Sequence, residues 1–70
     1  MRIKINYDGH EIEGDEIVYS GSTKNALKEL QDIIEKAVSG KISYLTIVSG
    51  SRKYYFGKKV LQKAIIVIID

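Results

Sequence analysis

Residues 51–59 hold the densest chemistry in the chain, with Arg52, Lys53, Lys58 and Lys59 flanking Tyr54, Tyr55 and Phe56. Cations interleaved with rings suit a phosphate-bearing ligand, because the charges neutralise phosphates while aromatic faces stack on bases. The same nine residues also fit a hairpin with two core aromatics and charged ends, which needs no ligand. His10, the only histidine, sits beside Gly9 among Asp8, Glu11 and Glu13. One imidazole and a few carboxylates on a turn coordinate weakly, so His10 is expected to be structural or solvent-facing, and no metal is expected. Residues 8–16 carry Asp8, Glu11, Glu13, Asp15 and Glu16 without a Lys or Arg. Such a run imitates nucleic-acid phosphates only sparsely, and a solvated edge hairpin is the simpler expectation.

Catalytic machinery is harder to find. The chain has no Cys, which excludes disulfides and thiolate chemistry. No Ser has a local base, and no glycine-rich phosphate loop joins a strand to a helix. The six glycines fall at predicted breaks, where turn geometry accounts for them. The expectation is therefore no enzyme, no catalytic residue and no cofactor.

Seventy residues allow one domain and one small core, held by packing alone. The net charge of +2 is too small to imply nucleic acid by itself, although acids gather early in the chain and bases late. After Met1, Arg2-Ile3-Lys4-Ile5 alternates and lacks the apolar run of a signal peptide. The longest apolar run, residues 64–69, falls far short of the roughly 20 residues that span a bilayer. A soluble cytoplasmic protein is expected.

The elements that position these residues follow from periodicity. Ile3, Ile5 and Tyr7 alternate with polar residues, and Asp8-Gly9 suits a type I′ hairpin turn. The returning arm, residues 10–13, is broken or bulged at Gly14-Asp15 before residues 16–19 resume as strand. Residues 20–23 form a loop in which Ser22 or Thr23 can cap a helix. Ala26, Leu27, Leu30, Ile33, Ile34, Ala37 and Val38 then share one helical stripe, ended by Gly40. Residues 42–49 and 52–56 flank Gly50-Ser51, a type II′ turn whose register sets Ser49 against Arg52 and Leu45 against Phe56. Leu45, Ile47, Tyr54 and Phe56 then share one face as the floor for the helix, and Tyr44, Thr46, Val48, Lys53 and Tyr55 share the other. A short helical turn over residues 60–63 lets Val60 or Leu61 plug the core edge.

Residues 64–69, Ala-Ile-Ile-Val-Ile-Ile, form a strand without polar interruption, and both its faces want cover. The predicted fold is α+β: a four- to five-stranded, mostly antiparallel sheet with one helix on one face, in the order ββαβββ. The last strand should be central, since an apolar edge invites aggregation. The helix covers one face only. The other face, with Tyr44, Thr46, Val48, Lys53 and Tyr55 beside alternate residues of the last strand, should be an interface, most simply between two copies of the chain.

In length, Cys-free and Trp-free composition, and the order of hairpin, helix and strands, the whole chain resembles the small αβ accessory proteins of phages and other mobile elements. The resemblance includes no specific motif. It implies stoichiometric action, by blocking a host protein or sequestering a small molecule. Three functions follow as expectations. The first is a non-enzymatic protein-binding module, an inhibitor of a host enzyme or defence protein. The second is an oligomer that binds a nucleotide or nucleotide-derived signal, with Arg52, Lys53, Lys58 and Lys59 on phosphate and Tyr44 or Tyr55 on the base. The third is single-stranded nucleic-acid binding by the same residues, with strong salt dependence.

Overall fold

Turn chemistry sets the first hairpin. In the computed structural model, which describes residues 1–17 and 23–69 with Thr23 and Lys24 by backbone alone, β1 (Arg2–Tyr7) pairs antiparallel with β2 (His10–Glu13). Asp8 at φ 48° and Gly9 at φ 77° supply the two left-handed positions of a type I′ turn. Beyond β2 the chain breaks at Gly14, as predicted, and residues 14–17 run on beside β1: Gly14 N–H donates to the Ile3 carbonyl at 2.8 Å and Ile17 N–H to that of Met1 at 2.8 Å. Of the strand expected over residues 16–19, Glu16 and Ile17 belong to no strand, because of their backbone groups only the Ile17 amide bonds back, to Met1; residues 18–19, the loop at 20–22 and the caps from the Ser22 and Thr23 side chains lie outside the described residues.

Helix α1 (Thr23–Ser39) ends in a Schellman motif. Gly40 at φ 83° donates to Ala37 at 3.2 Å, and Lys41 N–H reaches the Lys36 carbonyl at 2.8 Å. Of its apolar stripe, Ala26, Leu30 and Ala37 are buried and Ile34 and Val38 half-buried. Leu27 and Ile33 sit at the two rims and are exposed, because seven residues span a wider arc than one contact face can cover.

Strands β3 (Leu45–Ser49) and β4 (Arg52–Phe56) pair in the predicted register, from Ser49↔Arg52 to Leu45↔Phe56. Gly50 at φ 61° takes the first central position of the turn, where a type II′ geometry needs a positive angle. Helix α2 (Lys58–Leu61) buries Leu61 in the core, and β5 (Ile65–Ile69) returns antiparallel to β1, with Arg2 opposite Ile69 and Asn6 opposite Ile65.

The architecture is α+β, but two expectations about the sheet are corrected. The five strands form two sheets, β2-β1-β5 and β3-β4, not one. A four-residue β2 that breaks at Gly14 cannot carry a continuous ladder to β3, and the sheets meet instead at a corner where Asp15 N–H donates to the Val48 carbonyl at 2.7 Å. The last strand is an edge strand, and β1 is central. The charged outward side of β1 explains the preference, since Arg2 and Lys4 find carboxylates on β2, at 3.3 Å from Glu13 and 3.0 Å from Glu11. The inward side of β1 is apolar, and Ile5 is 0% exposed.

One core serves both sheets. Ile3 and Ile5 meet Leu30 and Ala37 of α1, Leu45 and Ile47 of β3, Phe56 of β4 and Leu61 of α2. Tyr7 stands edge-on to Phe56, ring centroids 5.9 Å apart, and so brings the ends of the two sheets together.

Ile5→Ala should destabilise the fold by about 2–5 kcal/mol in urea titration, the usual cost of emptying a buried site. At the corner, a Cβ on residue 14 would lie 2.9 Å from Ile47 Cγ2, whereas one on residue 57 meets nothing within 4 Å. Gly14→Ala should therefore cost about 1–3 kcal/mol, and Gly57→Ala should stay within about 0.5 kcal/mol of wild type. Equal costs at the two glycines would contradict this packing.

Candidate functional site

Strand alternation sorts the side chains of the second hairpin onto two faces. Leu45, Ile47 and Phe56 are buried against the helix and Tyr54 half-buried, while Tyr44, Thr46, Val48, Lys53 and Tyr55 are exposed on the outward side. Tyr44 is 60% exposed, Tyr55 61% and Val48 43%, which is unusual for large apolar and aromatic side chains grouped together. The two tyrosines form an edge-to-face pair, with centroids 6.0 Å apart and planes at 75°. Their contact orients two rings side by side on a strand pair, a rigid platform with little rotamer freedom left to lose.

Backbone bonds hold this platform at its tip. Besides the Asp15–Val48 backbone bond, the Asp15 carboxylate accepts from Gly50 N–H at 2.9 Å, so one residue just past β2 ties both β3 and the turn after it. Arg52 lies on the opposite face from Lys53, beside Tyr54, whose hydroxyl pushes the guanidinium pKa up.

The basic residues of 51–59 do not converge. Lys58 and Lys59 belong to α2, and at about 3.3 Å per residue β4 carries them roughly 17 Å from Lys53. A Cβ on Gly40 would meet the Lys58 Cδ at 3.0 Å, so this lysine lies over the C-terminus of α1, where the helix dipole favours a cation. Lys59 lines a separate groove with Tyr7, Asp8 and Lys63. Among the eight candidate residues, the fold brings Tyr44, Thr46, Val48, Lys53 and Tyr55 onto one face, sets Arg52 on the other, and sends Lys58 and Lys59 elsewhere.

The acidic stretch is largely used within the chain. Glu11 and Glu13 pair with Lys4 and Arg2 and Asp15 holds Gly50, while Glu16 accepts from the Met1 amino group, a bond that draws its carboxyl below the usual range. His10 is exposed, with its ring tilted 5.9 Å from that of Tyr7. Among the described residues, no group of three or more His, Cys, Asp or Glu could hold a metal ion, and no helix is long and apolar enough to cross a membrane.

Two features extend the surface beyond the sequence expectation. Ile33 of α1, read as core, shares a groove of about 380 Å³ with Tyr44, Thr46 and Ile17, and the excess width of the helical stripe was its only signal. On β5, Ile65 and Val67 are 67% and 40% exposed, and Ile66 and Ile68 face the core. The single patch expected to join them to the tyrosines is divided, because in strand order the ion pairs of β1 and β2 lie between. Comparison with protein-family models, curated proteins and solved structures finds no match to the chain, so the surface is interpreted from its own geometry.

A double-mutant cycle of Tyr44→Ala and Tyr55→Ala on thermal or urea stability should return a coupling of about 0.5–1 kcal/mol, as edge-to-face pairs do. Additive single losses would mean that the rings do not hold one another.

Proposed function

We propose that the chain is a non-enzymatic binding module that acts stoichiometrically on a partner protein through the outward face of the β3–β4 hairpin. The observation that carries it is the exposed edge-to-face pair Tyr44–Tyr55 beside Val48, on a strand pair pinned by Asp15. Tyrosines dominate the energetics of protein interfaces because each offers a large, stiff area with a polar tip. Thr46 stands opposite Tyr55 and Lys53 adds a cation to the same face, so the partner surface that fits is an apolar pocket bordered by carboxylates. In the setting that the resemblance to mobile-element proteins implies, the partner is a host enzyme or defence protein, and the action is inhibition by occupancy.

The nucleotide and single-strand readings draw on four cations and a stacking ring. With Lys58 and Lys59 directed away, Arg52 and Lys53 are left to serve a phosphate near Tyr55, and the second tyrosine already leans on the first. No observation favours these readings over a protein partner.

A photo-crosslinker placed at residue 46, opposite Tyr55, should trap one host protein in one-to-one ratio. Tyr55→Ala should then weaken binding of that protein by about 30-fold or more, the loss typical of a hot-spot residue, with the circular dichroism spectrum unchanged. Binding that is indifferent to both Tyr44→Ala and Tyr55→Ala would refute the assignment. A rise in melting temperature with a nucleotide or cyclic dinucleotide, absent in Lys53→Ala, would move the function to the ligand class.

A further inference from the structure

Among the strands at the sheet edges, β4 and β5 are protected differently. β4 carries Arg52 and Lys53, charges of the kind that discourage an open edge from recruiting another strand. β5, the outer neighbour of β1, reads Ile-Ile-Val-Ile-Ile, without a charge, a Pro or a Gly. By the ordinary rules of sheet edges, such a strand aggregates or is covered.

Register determines what this edge displays. The carbonyl of Ile3 accepts from Gly14, on the β2 side, so the odd residues of β1 direct their backbone groups to β2 and the even residues direct theirs to β5. Arg2, Lys4 and Asn6 thus form the hydrogen-bonded pairs with Ile69, Val67 and Ile65. It follows that the N–H and C=O groups of Ile66 and Ile68 point to the outer edge, while their side chains pack toward the core. Among the described residues, no backbone group bonds to them. Beside the edge, Gln31, Ile34 and Glu35 of α1 border an open groove of about 310 Å³ floored by Ile66 and Ile68.

We propose that β5 pairs antiparallel with the β5 strand of a second copy of the chain, about a twofold axis at Val67, and so joins two three-stranded sheets into one. In that register Ile66 and Ile68 exchange hydrogen bonds with Ile68 and Ile66 of the copy. Val67 faces its own counterpart and Ile65 faces Ile69, so each exposed aliphatic side chain meets another. Charge permits the approach. The nearest cations on the outward side, Arg2 and Lys4, are already neutralised by Glu13 and Glu11, and the strand itself brings no like charge to the axis. Twofold symmetry also closes this edge at two copies, because each chain has a single β5 with a single open side.

Sedimentation equilibrium and residue-resolved amide exchange on the full chain test the pairing. Wild-type protein at tens of micromolar should sediment at twice the 7.9 kDa chain mass, with slow exchange at Ile66 and Ile68. Val67→Lys and Ile65→Lys, both at exposed positions, should each give a folded monomer in which Ile66 and Ile68 exchange at least about tenfold faster while Ile69, bonded to β1, stays slow. Val67→Cys should oxidise to a disulfide-linked dimer, because facing non-hydrogen-bonded residues lie about 4.5 Å apart at Cα, and Thr46→Cys should not. A monomeric wild type overturns the proposal. So does a dimer that survives Val67→Lys, or one whose Ile66 and Ile68 amides exchange fast, since either uses another surface. Tyr55→Ala should leave the dimer intact, so that this pairing and the tyrosine surface stand or fall separately.

Discussion

Two consecutive amides, those of Gly14 and Asp15, hold the molecule's two sheets to each other. Neighbouring N–H groups of an extended chain point in opposite directions, so Gly14 reaches back to Ile3 while Asp15 reaches forward to Val48. The absence of a side chain at residue 14 matters as much as the bonds, because Ile47 occupies the space that a Cβ would fill. Asp15 then adds its carboxylate to the Gly50 turn. Without this corner the β3–β4 hairpin would lack its seat, and a lone hairpin is marginal in water. The helix can cover one floor built from two sheets only because the corner angles them over a shared core.

Electrostatics is settled locally around that corner. The acidic stretch and the N-terminal strand neutralise one another across β1 and β2, and Lys58 sits on the end of a helix. These ion pairs are half-exposed and each contributes little to stability. Their effect is on recognition: the first sheet presents a mosaic of matched charges, and the surface left with character of its own is aromatic on one hairpin and aliphatic on one edge. Arg52, Lys53 and the lysines of α2 take no part in these ion pairs.

Local features were legible from residue order. Asp8-Gly9 and Gly50-Ser51 specify their turns by backbone angle alone, and each turn fixes the register of the strands beside it, so the inward and outward faces of β3–β4 could be named residue by residue. Gly40 and the helical stripe were equally clear, apart from Ile33 and Leu27 at its rims. What could not be read was the placement of β5. Five aliphatic residues in a row indicate burial without indicating a neighbour, and the choice between centre and edge rested on the charges of β1, which looked like an ordinary solvent face until β2 was set beside them. The division of the sheet was likewise hidden, because a glycine break signals a bend and not its angle. As for the site, the tyrosine face was visible in the hairpin register, whereas the separation of Lys58 and Lys59 from it required α2.

The pairing of β1 with β5 joins residues far apart in sequence, with Arg2 beside Ile69. Both hairpins and the helix close over short loops, but this ladder must bring together segments more than sixty residues apart, and loop-closure entropy places such contacts late in folding. On a ribosome, the central strand is made about sixty residues before β5, its second neighbour. During that interval its open edge displays the amides and carbonyls of Arg2, Lys4 and Asn6, and the two cations stand where they deter an incorrect strand from docking. The same side chains that finish as half of a charge ladder thus act earlier as gatekeepers for an edge that is waiting for β5.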